Sequence, residues 1–475
     1  MDSLACMARR QRRRRHEGET AVATQATLTE GDPRKTILSL TGPMMVGMIG
    51  MMIFNLVDTW YVGRLGTDAL AAMSFTFPVV MLQGSISMGM GMGASAVISR
   101  AIGVGERDNV KRLTTDSLFL SLAIVVIFVI VGILTIDPLF RLLGADGELL
   151  IMVNEYMRIW YVGVAFVVIP MIGNNAIRAA GNTTIPSIIM LVAIGINIIL
   201  DPLLIFGVGP FPRMELAGAA LATVIARSIT LVVSITFLRY KFDMLTSKIP
   251  KWNELIASWG KVLFVGLPAA VTQAVLPLSM AVITRLVAGY GAAAVAALGV
   301  GTRVEMFVFA PLMALGAVLV PFTGQNLGAG NSERVTEGLK FGFRFAMILG
   351  TGALIVLLPA GRAIGGFFNS DLEVRRTVGL YLAIVSVGYG LQGVLTISAN
   401  AFSAMGKPYR SASLNLLRMF GLYIPLALLG SRLFGLTGVF LGAPISAVVM
   451  GLVGARWVLR TVPETVGELR QEIQR

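Results

Sequence analysis

Residues 185–208 read IPSIIMLVAIGINIILDPLLIFGV, and Asp201 is the one charged residue in this stretch. A helix of this length crosses a hydrocarbon core of about 30 Å, and it satisfies its own backbone polar groups there. Across the chain, 55% of the 475 residues are hydrophobic and 14% are charged, with a mean hydropathy of +0.78. Soluble domains contain about 25% charged residues. The sequence therefore predicts an all-α polytopic membrane protein.

Further apolar stretches of comparable length occur along the chain. Together they predict twelve transmembrane helices, at residues 37–61, 68–99, 112–136, 150–179, 185–208, 216–240, 259–288, 293–326, 336–360, 374–405, 410–431 and 435–459.

The sequence also repeats itself at an ungapped offset of about 225 residues, which indicates two structurally equivalent units. The offset pairs Pro43 with Pro268, Thr59 with Thr284, Gly66 with Gly291, Ala71 with Ala296, Gly103 with Gly328, Gly105 with Gly330, Tyr156 with Tyr381, Gly163 with Gly388, Asn175 with Asn400 and Gly181 with Gly406. Six helices per unit return the chain to its starting side, so the repeat is parallel. We expect two six-helix lobes with a transport pathway at their interface.

The domain boundaries follow from the apolar stretches and the polar segments between them. We predict a disordered basic cytoplasmic tail at 1–35, an N-lobe of helices 1–6 at 36–238, a cytoplasmic linker at 239–258, a C-lobe of helices 7–12 at 259–460, and a cytoplasmic C-terminal tail at 461–475.

The basic residues are distributed unevenly between alternate loops. With a cytoplasmic N-terminus, the inside segments hold most of them, including Arg107, Lys111, Arg112, Lys248, Lys251, Arg334, Lys407 and Arg460. This bias predicts a multi-pass protein of the cell (inner or plasma) membrane with both termini in the cytoplasm. The net charge of +13 therefore reflects topology. Nucleic-acid binding is not expected, because no basic domain with interleaved aromatic residues is present.

The N-terminal tail contains Arg9–Arg15, the lone cysteine Cys6 and the lone histidine His16. The arginine run fits either anionic lipid headgroups or a topogenic signal. Because the spans contain neither cysteine nor histidine, disulfides, cysteine metal sites and histidine proton relays are excluded from them.

Asp58 and Asp201 are acidic residues inside the first and fifth predicted spans, and neither has an acidic counterpart in the second half. Under the offset Asp58 pairs with Ile283, and Asp201 has no acidic counterpart near residue 426. An ionisable side chain at bilayer depth costs about 2.5–3.5 kcal/mol and is a functional candidate. The alternatives are structural: Asp58 pairing with a neighbour such as Arg64, and Asp201 capping a kinked helix.

Asp201 follows Asn197 by four residues, so the two share a helix face. Pro202 frees the carbonyl group of Ile198 by removing a backbone donor. A carboxylate, an amide and a carbonyl group together suit a small cation or a proton. The next helix begins with small residues that allow close packing, and its Thr223 offers a hydroxyl group.

These residues form a pattern that resembles the multidrug and toxic compound extrusion (MATE) transporters, in particular their prokaryotic DinF-like branch. The resemblance covers nearly all of residues 36–460 and rests on Val57-Asp58-Thr59, Val62-Gly63-Arg64-Leu65-Gly66, Asn175 to Asn182, Asn197 to Pro202, Gly218 to Thr223, Gly324 to Ala329 and Ala404 to Pro408.

The resemblance implies a secondary antiporter that exports organic, often cationic and amphiphilic, compounds in exchange for protons or sodium ions. It implies no cofactor beyond the coupling ion. The implied coupling site in the first lobe falls on Asp58, Asn197, Asp201 and Thr223, with Tyr156 and Asn174 or Asn175 in the surrounding network. We also expect a monomer in the lipid bilayer that binds small organic substrates. The predicted seventh helix carries no acid, unlike some family branches.

Other residues suggest a substrate cavity. Glu305 is a further acid inside a span, and it either lines the second lobe or forms a salt bridge with Arg285, Arg344 or Arg418. Met88 and Met92 lie on the second helix, where flexible, polarizable side chains suit varied ligands.

Two alternative functions are weighed against export. A flippase for lipid-linked oligosaccharides needs a basic cavity for pyrophosphate, for which Arg227, Arg285 and Arg418 are the candidates. A membrane-embedded enzyme needs a nucleophile and base or metal ligands at depth, and these spans offer carboxylates alone. The motifs favour the antiporter, which is not an enzyme.

Overall fold

The computed structural model describes residues 27–368 and 370–474, and these residues are almost entirely helical. The first six helices are α1 (Pro33–Gly63), α2 (Thr67–Val104), α3 (Arg107–Leu142), α4 (Gly147–Ala179), α5 (Thr184–Phe206) and α6 (Glu215–Thr236). The predicted tail with Cys6, His16 and the arginine run lies outside the described residues.

The second half continues with α7 (Trp252–Ala288), α8 (Ala292–Gly328), α9 (Ser332–Phe368), α10 (Leu372–Val385), α11 (Tyr389–Ala404), α12 (Pro408–Leu416) and α13 (Ile424–Gln474). Short tighter or wider turns join α10 to α11 and α12 to α13, so that each pair continues as one segment.

Eleven helical segments of the described residues are long and apolar enough to cross a membrane. The last, Pro408–Leu469, has 62 residues, and the others have 23 to 38. It is interrupted at Gly435, whose φ of 60° and ψ of −140° are not helical. The break divides the segment into two spans, which confirms the predicted twelve transmembrane helices.

The glycines of the sequence repeat occupy the same backbone conformation in both halves. The helix-end pairs have positive φ: 122° and 99° at Gly66 and Gly291, 87° and 75° at Gly105 and Gly330, and 84° and 72° at Gly181 and Gly406. Residues with a Cβ atom avoid this region. The repeat is thus partly a record of where helices must end.

A packing contact is repeated as well. A Cβ atom added to Gly91 would clash with the amide of Asn175, and one added to Gly316 would lie 2.6 Å from Asn400 Nδ2. Gly316 follows Gly91 by 225 residues, and Asn400 follows Asn175 by the same number, so the two contacts are repeat partners. Each half therefore seats an asparagine from one helix against a glycine of another.

The chain forms two compact units. The first contains Val46–Leu263, and the second contains Leu28–Met45 together with the chain from Phe264 onwards. In the first unit α4 packs against α2, α3 and α6 and is the most buried span. In the second, α8 and the α10–α11 segment are the most buried.

The start of the chain differs from the predicted tail at 1–35 and N-lobe at 36–238. Leu28 is buried, its amide donates to Gln325 Oε1 at 3.1 Å, and its carbonyl oxygen accepts from Asn326 Nδ2 at 3.1 Å. Arg334 also donates to the carbonyl groups of Leu28, Glu30 and Gly31. These bonds order residues 28–35 and attach residues 28–45 to the second unit. The prediction relied on hydropathy, and hydropathy gives no sign of polar contacts between residues that are distant in sequence.

The predicted linker at 239–258 is too long. The sixth span continues to Lys241 and α7 begins at Trp252, so the non-helical connection is 242–251. The indole of Trp259 donates to the carbonyl oxygen of Asp116 at 3.0 Å, which fixes the start of α7 on α3. At the other end of the chain, α13 continues through most of the predicted tail at 461–475.

The linker is held against α3 by Asp243. Its carboxylate accepts from Arg107 Nη2 at 2.8 Å and Lys111 Nζ at 2.6 Å, and the amide of Thr246 donates to Thr115 Oγ1 at 3.0 Å. Burial alone would raise the pKa of Asp243, but the hydrogen bonds and charges of Lys111 and Arg107 outweigh it and lower the pKa below 3.8. The ionised form is therefore the form that holds the linker.

Replacing Asp243 by Asn should release the linker, because both basic partners lose their anion. A nitroxide label on Ser247→Cys, in a Cys6→Ser background, should become more mobile in electron paramagnetic resonance spectra. With wild-type Asp243, the label should stay immobile at neutral pH and loosen only as the pH falls below the ordinary value near 3.8. Asp146→Asn, an exposed site, serves as the control. Equal mobility in the Asp243 variant and wild type would refute this role.

Candidate functional site

The core of the candidate site lies on α5, where Asn197 and Asp201 stack one turn apart. Asp201 is fully buried and Asn197 is 2% exposed. Because the surroundings are apolar helices, the two polar groups depend on each other and on α6 for hydrogen bonds.

The amide of Asn197 joins the two helices. In the orientation that satisfies both of its ends, its nitrogen donates to Asp201 Oδ2 at 3.0 Å and its oxygen accepts from the backbone nitrogen of Thr223 at 3.1 Å. The helices approach closely at Gly218, where a Cβ atom would lie 2.5 Å from the carbonyl oxygen of Leu204. The small residues that begin α6 therefore bring Thr223 to the site.

Asp201 keeps one acceptor free. Its Oδ1 is buried and has no hydrogen-bond partner within 27–368 and 370–474. An isolated buried carboxylate oxygen of this kind is costly unless it binds a proton or a cation. This is the strongest indication of a ligand site in the first unit.

Asp58 supplies a second carboxylate from α1. It is half-buried and accepts no hydrogen bond from the described residues. Arg64, the neighbour considered as a structural partner, instead places its guanidinium 4.5 Å from the ring centre of Trp60. Asp58 interacts electrostatically with Asp201, and both do so with Tyr156.

The structure thus brings five of the predicted site residues together: Asp58, Tyr156, Asn197, Asp201 and Thr223. The two asparagines of the predicted network lie elsewhere. Asn174 and Asn175 follow Tyr156 by 18 and 19 residues on α4, which places them about 27 Å further along the helix. Asn174 Oδ1 accepts from Ser234 Oγ at 3.3 Å, and Asn175 Nδ2 donates to the carbonyl oxygen of Met171 at 2.8 Å.

The second unit contains a carboxylate site of its own. Glu305 Oε1 accepts from the hydroxyl groups of Tyr381 at 2.8 Å and Tyr389 at 3.3 Å, and both tyrosines are buried. No basic side chain of the described residues lies at ion-pair distance from Glu305, so the salt bridge considered with Arg285, Arg344 or Arg418 is absent from this part of the chain. The sequence analysis does not predict these tyrosines as partners of Glu305. The repeat offers a signal for one of them, because Tyr381 is the repeat partner of Tyr156.

Met88 and Met92 are four residues apart on α2 and are both half-buried, whereas Met90 between them is 3% exposed. The first two therefore share a face of α2, and Met90 faces the interior of the first unit. This separation keeps Met88 and Met92 as candidates for a surface that contacts ligands.

Comparison with known proteins agrees with these features. The MatE family model matches residues 43–203 and again 268–429, which together exceed half of the chain. The FAD transporter of Shewanella oneidensis is 38% identical over 418 residues, covering 88% of this chain and 92% of that protein. The multidrug export protein MepA of Staphylococcus aureus is 26% identical over 408 residues, covering 85% and 89%.

A solved structure supports the same relationship. The Vibrio cholerae MATE transporter VcmN in its bent form superposes with a TM-score of 0.87 and 28% identity, covering 92% of this chain and 98% of that one. The chain belongs to the MATE family of multi-pass membrane transporters. It is therefore a transporter and not an enzyme, and the relatives support a role in efflux of small molecules.

The Asn197 contacts give a stability prediction. Asn197→Leu, of similar volume, leaves Asp201 Oδ2 without its donor, so we expect a loss of about 1–3 kcal/mol, whereas the Thr223 backbone nitrogen keeps its partner within α6. Thr223→Val removes the hydroxyl group that lies 3.3 Å from the Asn197 amide, so it should cost less, about 0.5–1.5 kcal/mol. Thermal unfolding in detergent checks both variants. Equal unfolding temperatures for the Leu variant and wild type would contradict the hydrogen bonds described.

Proposed function

We propose that this protein is a secondary active antiporter that exports organic compounds in exchange for protons or sodium ions. Asp58 and Asp201 bind the coupling ion, supported by Asn197, Thr223 and Tyr156. The observation that carries the proposal is the buried Oδ1 of Asp201, which has no hydrogen-bond partner among the described residues, together with the nearby Asp58 carboxylate, which accepts no hydrogen bond from those residues either.

The chemistry follows from charge. Two carboxylates in an apolar interior repel each other, and no basic side chain is at ion-pair distance from either in the described chain. A bound proton or sodium ion removes this repulsion. Asn197 holds Asp201 Oδ2 whether or not the ion is bound, so the ion binds at Oδ1 and at the Asp58 carboxylate.

Neutralisation is large enough to drive alternating access. A thousandfold preference of the ion for one conformation corresponds to about 4 kcal/mol. Leaving a buried carboxylate uncompensated costs several kcal/mol, which is the same order. The substrate would bind the conformation that the ion does not favour, so binding of the ion releases the substrate and binding of the substrate releases the ion.

Two substrate classes are proposed, each with its own support. Organic cations and other amphiphiles suit the carboxylate of Glu305 in the second unit and the flexible side chains of Met88 and Met92 in the first, and MepA is named a multidrug export protein. A flavin dinucleotide is the second, because the Shewanella oneidensis relative, named an FAD transporter, is 38% identical. We further propose a monomer in the inner membrane with both termini in the cytoplasm.

Asp58→Asn and Asp201→Asn should each abolish gradient-driven export, because an amide cannot take up the coupling ion. The measurement is transport in inverted vesicles energised by an imposed gradient, with expression checked in the same membranes. Asp68→Asn, an exposed aspartate at the start of α2, is the matched control and should transport normally. Transport at the wild-type rate in both Asp58 and Asp201 variants would rule out the coupling site.

The same vesicles identify the coupling ion. A pH gradient without sodium and a sodium gradient without a pH difference are applied in turn. The ion that couples at Asp58 and Asp201 should drive transport in wild type and fail to drive it in either Asn variant. Equal transport with no gradient at all would contradict antiport.

A further inference from the structure

Arg227 and Arg418 lie inside predicted membrane spans, and neither has an acidic partner at ion-pair distance among the described residues. Arg227 lies near the middle of the sixth span, Glu215–Lys241, and its one hydrogen-bond contact in the described structure is Met51 Sδ, at 3.8 Å from Nη2. Arg418 lies in the eleventh span, before the break at Gly435. Its Nη1 contacts Met419 Sδ at 3.7 Å, and its buried Nε has no partner among the described residues.

A thioether is a weak acceptor, so these contacts do not satisfy a guanidinium group. Arginine stays protonated in proteins and offers five donors in a planar fork. Arginines within membrane spans usually pair with an acid or with backbone carbonyl groups, or they mark the path of a substrate. Each of these two side chains therefore has donors available for an anion from outside the protein.

The acids of the chain do not serve as that anion. In the first unit, Asp58 is seven residues beyond Met51 on α1, about 10 Å further along the helix, and Asp201 is not at ion-pair distance from Arg227. In the second unit, Glu305 interacts electrostatically with Arg418 but is bonded by tyrosine hydroxyl groups and is beyond ion-pair distance. Each unit thus keeps a carboxylate and a guanidinium apart.

We propose that Arg227 in the first unit and Arg418 in the second unit form two separate binding sites for an anionic group, and that the physiological substrate is an organic anion carrying a phosphate or pyrophosphate. This inference rests on the proposed antiport and selects between its two substrate classes. The guanidinium fork matches a phosphate with two parallel hydrogen bonds, which a methionine sulfur cannot offer. An unpaired guanidinium also repels an organic cation in the low-dielectric interior.

The test uses flavins that share a ring system and differ in charge. Inverted vesicles carrying the full-length protein are energised by the gradient that supports transport, and uptake of FAD, riboflavin and ethidium is measured. Wild type should transport FAD. Arg227→Gln and Arg418→Gln should each raise the KM for FAD by roughly tenfold to a hundredfold, because a charge-assisted contact is lost. Riboflavin, which has no phosphate, should be unaffected by either variant.

Conservative and exposed substitutions serve as controls. Arg227→Lys keeps the charge but loses the fork, so it should restore part of the FAD affinity. Arg141→Gln and Arg376→Gln change exposed arginines, one in each unit, and should behave as wild type. Circular dichroism and thermal unfolding of each purified variant identify any that fail to fold.

The outcomes separate this inference from the proposed antiport. Gradient-driven ethidium transport that is unchanged in both Gln variants, with no FAD transport, would overturn the anion site and leave the antiporter intact. FAD binding to purified wild type, measured by calorimetry and weakened in both Gln variants, supports the anion site even if no gradient drives transport. Absence of FAD binding to folded wild type overturns the anion site.

Discussion

Hydrocarbon offers no hydrogen-bond partner, and this constraint determines both the fold and the site. The backbone meets it by forming helices, and the helices end where glycine allows a positive φ, as at Gly105 and Gly330. Side chains meet it by pairing across helices, as Asn197 does with Asp201 and with the backbone of Thr223. Asp201 Oδ1 and Arg418 Nε are among the buried groups of the described residues that do not meet it, and to these two we assign ligands.

The two halves share a scaffold and differ in their charged residues. Tyr156 and Tyr381 are repeat partners, and each lies in the electrostatic field of a carboxylate. The carboxylates come from different helices: α1 and α5 in the first unit, and α8 in the second. The duplicated framework thus keeps an aromatic hydroxyl in place while the acid beside it has changed position. The proposed coupling site accordingly takes its carboxylates from the first half alone.

Much of this could be predicted from sequence because hydropathy and the repeat are local signals. They gave the twelve spans, and the family pattern gave Asp58, Asn197, Asp201 and Thr223. The family pattern does not tell how far along a helix a residue lies, so it groups Asn174 and Asn175 with Tyr156. In the structure, one continuous helix places both asparagines two dozen ångströms or more from Tyr156. The tyrosine partners of Glu305 required knowing which helices touch, and no pattern along one chain records that.

The attachment of Leu28 has a consequence for how the chain can be divided. By sequence, the natural cut between the halves lies in the connection at 242–251, and each fragment would then carry one complete repeat. In the folded protein that cut would separate Gln325, Asn326 and Arg334 from the backbone groups that they bind. The second fragment would lose these hydrogen bonds, and the first would keep residues 28–45 without the side chains that bind them. Residues 28–45 therefore belong to the first repeat by sequence and to the second unit by packing. A protein made as two chains should assemble well only if this segment is part of the second chain.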